Sequence, residues 1–389
     1  MIMNADINNK FVETRKLFPH AGNIIYFNSA SYGPFCRPVV DAINANIDIR
    51  MRADYDDSHD AFAVRESLRE RYANLIGANR DEVGISMNTS FGLNIAAFGL
   101  PLEKGDEVLI FDKEFPALVY TFKAAAEERG LKITYLKSEN NILPIETIES
   151  AITEKTKVIA ISFVQFFNGY KNDLKAISDI CKKHNIYFVV DGIQGCGVEP
   201  IDVHELGIDI FASGCQKWLL SPQGCGFFYI KKELQEKLRT PFMSWLGVDW
   251  EMQFSDLFKF EQPYFESAQK FELGYYAVLN LLGMNASLDI FENLGVENIQ
   301  SHNYKLIDKI ADYFKSSDFY SVTSNLEEKH RSSILTFSCE NYRDVQKYLL
   351  DNKVILVPRE GSIRVSVHLY NNDDDIEKFI TLLDAYPQK

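Results

Sequence analysis

From about Asp81 to Ile230 the chain alternates short strand-like runs with helix-like segments. The strand-like runs are Val83–Met87, Glu107–Phe111, Lys132–Leu136, Lys157–Phe163, Ile186–Asp191, Ile208–Ala212 and Gly226–Ile230. Helix-like stretches such as Ala117–Arg129 and Lys171–His184 lie between several of them. That alternation predicts an α/β architecture, a mainly parallel, doubly wound sheet with helices on both faces. Ligands of such sheets bind outside the carboxyl ends of the strands. Asp191 stands at one such end, and Asn88, Thr89 and Ser90 stand at another.

The pattern changes after about Phe260. Long helical stretches, Phe271–Glu292 and Val296–Phe314, precede strand-like Ile334–Ser338, a helix over Tyr342–Asp351, and strand-like Val354–Val357 and Ile363–Val367. Asn371-Asn372 then reads as the cap of an acidic final helix, Asp373–Ala385. These features predict a large domain over 31–260. A smaller α+β domain spans 261–389, with an N-terminal arm, 1–30, packed against it. A length of 389 residues allows about two or three domain-sized cores.

Composition narrows the partners. With 46% hydrophobic and 25% charged residues the chain is an ordinary globular protein. A net charge of −14 disfavours binding to nucleic acid or to an anionic membrane surface. No apolar run is long enough to span a bilayer, and the start, MIMNADINNKF, has no apolar export core. The six cysteines form no C-x-x-C pair, so they read as reduced thiols of a cytoplasmic protein. The seven histidines form no ligand-spaced pair with one another or with a cysteine, and no metal site is expected.

The chemistry is carried by order and context. Lys217 sits in the turn Ser213-Gly214-Cys215-Gln216-Lys217-Trp218, downstream of the strand ending at Asp191. A lone lysine is usually a solvated surface residue. A lysine in a small-residue and aromatic turn that follows an acid at a strand end instead suggests a pyridoxal phosphate site. The lysine can hold the cofactor aldehyde as a Schiff base, and the acid can pair with the pyridinium nitrogen. Asn88-Thr89-Ser90 follows a strand and opens a helix, where free N–H groups and two hydroxyls could take a phosphate or simply cap the helix. Gln194, just past Asp191, could reach the cofactor's phenolic oxygen or bond to loop backbone. Arg364 lies inside a β-branched strand, where a guanidinium needs a partner: a substrate carboxylate or an internal acid.

On these residues the chain resembles the class V aminotransferase group of fold-type I pyridoxal phosphate enzymes. That group includes cysteine desulfurases, selenocysteine lyases, isopenicillin epimerase and kynureninase. The segments that carry the resemblance occur in order: Tyr26 to Ala30, Asn88-Thr89-Ser90, Glu114-Phe115-Pro116-Ala117, Val190 to Gln194, Ser213 to Trp218, Phe271 to Gly274 and Arg364 to Asn371. The resemblance implies that Lys217 and Asp191 are catalytic and that Thr89, Ser90, Ser213 and Gln216 hold the phosphate. It implies that Gln194 meets the phenolic oxygen, that Phe115 stacks on the ring and that Arg364 binds an amino acid's carboxylate. It also implies a homodimer, with Gly274 reaching the phosphate from the second subunit.

Departures narrow the reaction. Desulfurases of the second group carry a nucleophilic cysteine shortly before the carboxylate-binding arginine, and here Val354–Ser362 has none. Where those enzymes stack a histidine on the ring this chain has Phe115, it has Gln216 before the lysine, and Tyr275 follows Gly274. An aminotransferase or carbon–sulfur β-lyase is therefore expected. Epimerisation would need a second acid such as Tyr32 or Tyr170. A desulfurase-like enzyme without its cysteine and a non-catalytic scaffold are the remaining alternatives.

Overall fold

The computed structural model describes residues 5–53, 57–250 and 258–387. All seven strand-like runs join one sheet: β1 Val83–Ser86, β2 Glu107–Phe111, β3 Lys132–Leu136, β4 Thr156–Ser162, β5 Tyr187–Asp191, β6 Ile210–Gly214 and β7 Gly226–Ile230. The order across the sheet is β1-β7-β6-β5-β4-β2-β3. The five strands β3, β2, β4, β5 and β6 run parallel, and β7 pairs antiparallel with both β6 and β1. Both faces are buried, and alternate residues serve different cores. Phe188 and Val190 join one hydrophobic cluster, and Val189 between them joins the other.

A second sheet of four strands has the order Val357–Arg359, Ser362–Ser366, Ile334–Ser338, Ser321–Val322. Its registers put Ile363, Val365, Leu335 and Phe337 on one face, in a third apolar cluster with Ile25 and Phe27. Ser362, Arg364, Ser366 and Thr336 therefore share the opposite face. The N-terminal arm joins this unit: Ile25–Tyr26 pairs in parallel with Val354–Ile355, and Asn28 bridges to Ser366. The last helix, Asp373–Ala385, starts on an Asn372–Asp375 capping box.

Two predicted elements need correction. Phe271–Glu292 is not one helix. A 3-10 turn ends at Phe271 and the α-helix begins only at Val278. The residues between are drawn onto β1: buried Glu272 accepts from Ile85 N at 2.9 Å, and Tyr276 OH donates to Ile85 O at 2.8 Å. Val354–Val357 is likewise not one strand. It divides at Leu356 because Val354–Ile355 pairs with the N-terminal Ile25–Tyr26, whereas Val357–Arg359 pairs with residues 362–364 across a turn at Glu360 (φ 43°) and Gly361 (φ 83°). Both residues of that two-residue connection are left-handed, the geometry that matches the twist of a hairpin.

Candidate active site

Parallel pairing of β5 and β6, with Asp191 opposite Ala212, sets Asp191 and the Lys217 turn at the same carboxyl edge. Asp191 is buried and its Oδ1 accepts from Ile193 N at 3.0 Å. Burial raises its carboxyl to about 6, against the pull of that N–H and of the Lys217 charge. Lys217 is pulled down to about 8, first by burial, with the Arg364 and Arg359 charges adding to the effect and Asp191 opposing it. Its Nζ lies 5.4 Å from the centre of the Phe115 ring. Phe115 caps the helix Pro116–Arg129 at the end of β2 and meets Phe166 edge-on at 5.1 Å.

The turn is held from several sides. Trp218 is buried, its indole N–H donates to Gln194 Oε1 at 2.9 Å, and its carbonyl lies 2.7 Å from His368 Nε2. Gln194 Nε2 donates to Ala30 O at 3.1 Å, so the glutamine bridges the arm and the turn and keeps one amide hydrogen over. Gly33 N donates to Gln216 O at 2.9 Å. A Cβ at Gly33 would stand 2.3 Å from Lys217 O, so only glycine allows the chain just beyond the arm to cross so closely.

A polar cradle lies beside the turn. Helix Thr89–Gly99 begins there, with Asn88 Oδ1 accepting from Phe91 N at 3.0 Å. Thr89 Oγ1 accepts from Gly214 N at 2.8 Å and keeps its own proton to donate. A Cβ at Gly214 would lie 2.5 Å from Gln216 Oε1 and 3.3 Å from Thr89 Oγ1, so the glycine keeps that space open. Ser90 is partly buried one residue along. Ser213 is fully buried and its hydroxyl donates to Gly214 O at 3.1 Å, which commits that proton within the turn.

Arg364 approaches from the small sheet. It is 1% exposed, and no acidic side chain lies within ion-pair distance of it among the described residues. Its Nη2 donates to Ser31 Oγ at 2.8 Å, its Nη1 donates to Phe166 O, and its Nε has no partner. Burial, then the Arg359 charge, lowers its affinity for a proton. Gly274 makes no contact with this cluster. It adopts φ 63° on the segment tied to β1, with its N–H donating to Ser244 Oγ at 3.1 Å.

The Aminotransferase class-V profile matches residues 25–379. The chain belongs to that family. An uncharacterized aminotransferase of Bacillus subtilis is 28% identical over 379 residues, covering 95% of this chain and 96% of the relative. A probable cysteine desulfurase of Methanothermobacter thermautotrophicus is 27% identical, covering 94% and 95%. Among solved structures, the cysteine desulfurase of Thermococcus onnurineus superposes with a TM-score of 0.86 at 22% identity, covering 96% of this chain and 97% of that one. The fold is thus that of the fold-type I pyridoxal phosphate enzymes, and the chain is a pyridoxal phosphate-dependent aminotransferase or lyase of this family. Among the described residues no helix is long and apolar enough to cross a membrane.

The residues present fit the cofactor. A buried carboxylate, an amine near 8 beneath an aromatic face, and an open cradle at a helix start suit its pyridine nitrogen, aldehyde and phosphate. Sequence reasoning passed over several neighbours. Ser31 holds Arg364. Arg359 bears on Lys217 and Arg364. Glu114 is a buried acid raised by burial to about 7, with Oε1 accepting from Ser162 N and Gln165 Nε2, both at 2.8 Å. Glu114 carried a readable signal, an acid directly before the aromatic Phe115, whereas Ser31 and Arg359 are recognisable only by their tertiary neighbours.

Proposed function

We propose that the protein works by single-base chemistry at the α-carbon of an amino acid, as an aminotransferase or carbon–sulfur β-lyase, with Lys217 as the base. The observation that carries this reading is buried Arg364, which lacks an acidic partner and keeps an idle Nε while its charge bears on Lys217. A planar guanidinium without a carboxylate of its own suits the α-carboxylate of a substrate. Bound pyridoxal phosphate supplies the electron-withdrawing ring that makes the α-carbon acidic. Asp191 holds negative charge at the pyridine nitrogen, and Gln194 offers its spare amide hydrogen to the phenolic oxygen. Phe115 covers the ring face. Thr89, Ser90, Gln216 and the Ser213 turn hold the phosphate.

Lys217 is suited to collect and return a proton, because an amine near 8 is a competent base close to neutrality. Phe115 has no proton to give and the Tyr170 hydroxyl is engaged by His330 Nε2 at 3.2 Å, so epimerisation would need Tyr32, which is 55% exposed between Ser31 and Gly33, as its second acid. Cysteine desulfurases among the relatives supply the main alternative. Five of the six thiols here are buried, and Cys339 is partly buried with its thiol raised by burial. The two-residue hairpin Glu360-Gly361 leaves no long loop before Arg364 to carry another. Lys217 and Asp191 are retained together at one sheet edge, which disfavours a non-catalytic scaffold.

A homodimer with Gly274 reaching the partner's phosphate is part of the proposal. Its support is the aromatic surface around that glycine, where Tyr275 is 52%, Tyr264 56% and Phe260 81% exposed. Residues 31–260 would form the cofactor-holding body, and 1–30 with 261–389 the substrate-holding one. Helix Val278–Leu294 buries Leu281, Met284 and Leu288 in the large cluster and ties the two. A cytoplasmic location also belongs to this proposal.

The test is Lys217→Ala, assayed on a panel of amino acids while keto acid, sulfide and the visible spectrum are followed. The substitution should end turnover and remove the borohydride-trappable link to the cofactor, with the fold intact. A trapped link that survives assigns the anchor to another lysine and sinks the reading.

A further inference from the structure

The hairpin that replaces a cysteine-bearing loop carries an arginine of its own. Val357 pairs with Arg364, and Arg359 pairs with Ser362. Residues 357 and 359 share one face of their strand, and 362 and 364 share that same face of the next. Arg359 and Arg364 are therefore same-face diagonal neighbours, a relation that puts backbones about 7–8 Å apart and long side chains within reach of a common ligand. The Glu360-Gly361 connection fixes Arg359 at the base of a two-residue turn, so its position is set by sheet register.

Arg359 is partly buried, and its hydrogen bond among the described residues runs to the adjoining Pro358 O at 3.2 Å. No acidic side chain within the described residues lies at ion-pair distance from it. Glu360, next in sequence, is exposed at the turn. Lys217, Arg364 and Arg359 thus gather at one place in a chain whose net charge is −14. Asp191 is the acid whose charge bears on Lys217. The Arg359 charge bears on both Lys217 and Arg364, in keeping with the shared face that the register gives Arg359 and Arg364. One α-carboxylate would satisfy Arg364 and leave Arg359 without a counter-charge.

We propose that Arg359 is a second anion-binding residue beside Arg364, and that the substrate is an amino acid with an acidic side chain. The inference rests on the reading that Lys217 acts on an α-amino acid. It extends that reading by assigning the α-carboxylate to Arg364 and the side-chain acid to Arg359. An amide in place of the side-chain acid keeps size and shape but loses the charge-assisted bond, a difference of about 10- to 100-fold.

The test compares the holoenzyme on aspartate with asparagine and on glutamate with glutamine, by kcat/KM. The native protein should favour one acid over its amide by about 10- to 100-fold, and Arg359→Gln should bring that ratio close to one. Arg359→Lys should retain part of it, since the charge stays and the fork is lost. Calorimetry supplies a readout independent of turnover: succinate should bind more tightly than butyrate, and Arg359→Gln should remove the difference. A thermal melt of each variant confirms that the fold is kept. A ratio unchanged in Arg359→Gln, or a loss confined to cofactor affinity, overturns the assignment. If neutral amino acids react and acidic ones do not, the second-anion role alone has failed. If no amino acid of either kind alters the visible spectrum, the α-amino-acid reading has failed and this one with it.

Discussion

Two buried arginines in this protein have opposite surroundings. Arg69, 2% exposed, lies against Glu272, 0% exposed, and also donates to Val83 O at 2.9 Å. Arg65 approaches the other carboxylate oxygen of Glu272 at 3.4 Å. Arg364, 1% exposed, has a serine hydroxyl, a backbone carbonyl and an idle Nε. Burying a charge is costly unless it is paired. The first arginine meets that cost inside the protein and serves architecture, because Glu272 anchors the Gly274 segment on β1. The second leaves it unmet, and a substrate carboxylate would supply what is missing. Burial alone therefore does not distinguish the two arginines; the missing acid is what sets Arg364 apart.

Substitutions can break this contrast. The largest effect should be on stability at the paired site. Glu272→Ala removes the buried partner of two guanidiniums and leaves them only the more exposed Glu66, 3.2 Å from Arg69 and 4.0 Å from Arg65; it should destabilise by about 3–5 kcal/mol, read as a lower thermal midpoint. Arg364→Ala should show the reverse profile. KM for amino acids should rise by the equivalent of about 2–5 kcal/mol, with the melt and cofactor binding little changed. A lowered midpoint with unchanged KM would make Arg364 structural and erase the distinction.

Glu114 offers a smaller and pH-dependent comparison, a buried acid that lacks a full counter-charge. Its native carboxyl is raised from an ordinary 4.5 to about 7. Below the ordinary value both folded and unfolded states are protonated, and the group is neutral to stability. As pH rises from there towards 7 the folded state retains a proton that the unfolded state releases, so stability falls. Glu114→Gln removes that loss, and its amide can still serve Ser162 and Gln165. The variant's midpoint relative to the native protein should climb between about pH 5 and pH 8, by an amount on the order of 1–3 kcal/mol. A difference that is flat with pH would mean Glu114 is ionised throughout. The smallest expected effect lies in the thiols. Each cysteine changed singly to alanine should alter kcat by no more than a few-fold. A loss of several hundred-fold at Cys36, Cys196, Cys215 or Cys339 with cofactor still bound would restore a persulfide mechanism.

Much of this was legible along the chain. Apolar runs spaced by helices determine a doubly wound sheet, and a strand ending at Asp191 ahead of the Lys217 turn places both residues at one sheet edge. These are local patterns, set by residue type and period. Gln194 was legible as a candidate site residue, but its bonds to Ala30 and Trp218 were not. The Phe271–Glu292 helix was misread for a similar reason: its apolar content is compatible with a helix, and the bonds of Glu272 and Tyr276 to Ile85 override that preference from nearly two hundred residues away.

The sequence by itself determined the fold class, the family, the candidacy of Lys217 and Asp191 as a lysine and acid pair, and the lack of a cysteine before Arg364. Only the tertiary structure decided which buried arginine has an acid and which does not. Glu272 lies far from Arg69 in sequence, and nothing in the spacing of either reveals that they meet. It also decided that Arg359 shares a face with Arg364, since that follows from the register of a hairpin closed by Glu360 and Gly361. The physical reason is the same in both cases. A charge's role depends on what lies within a few ångströms of it, and neighbours at that distance are chosen by packing rather than by position along the chain.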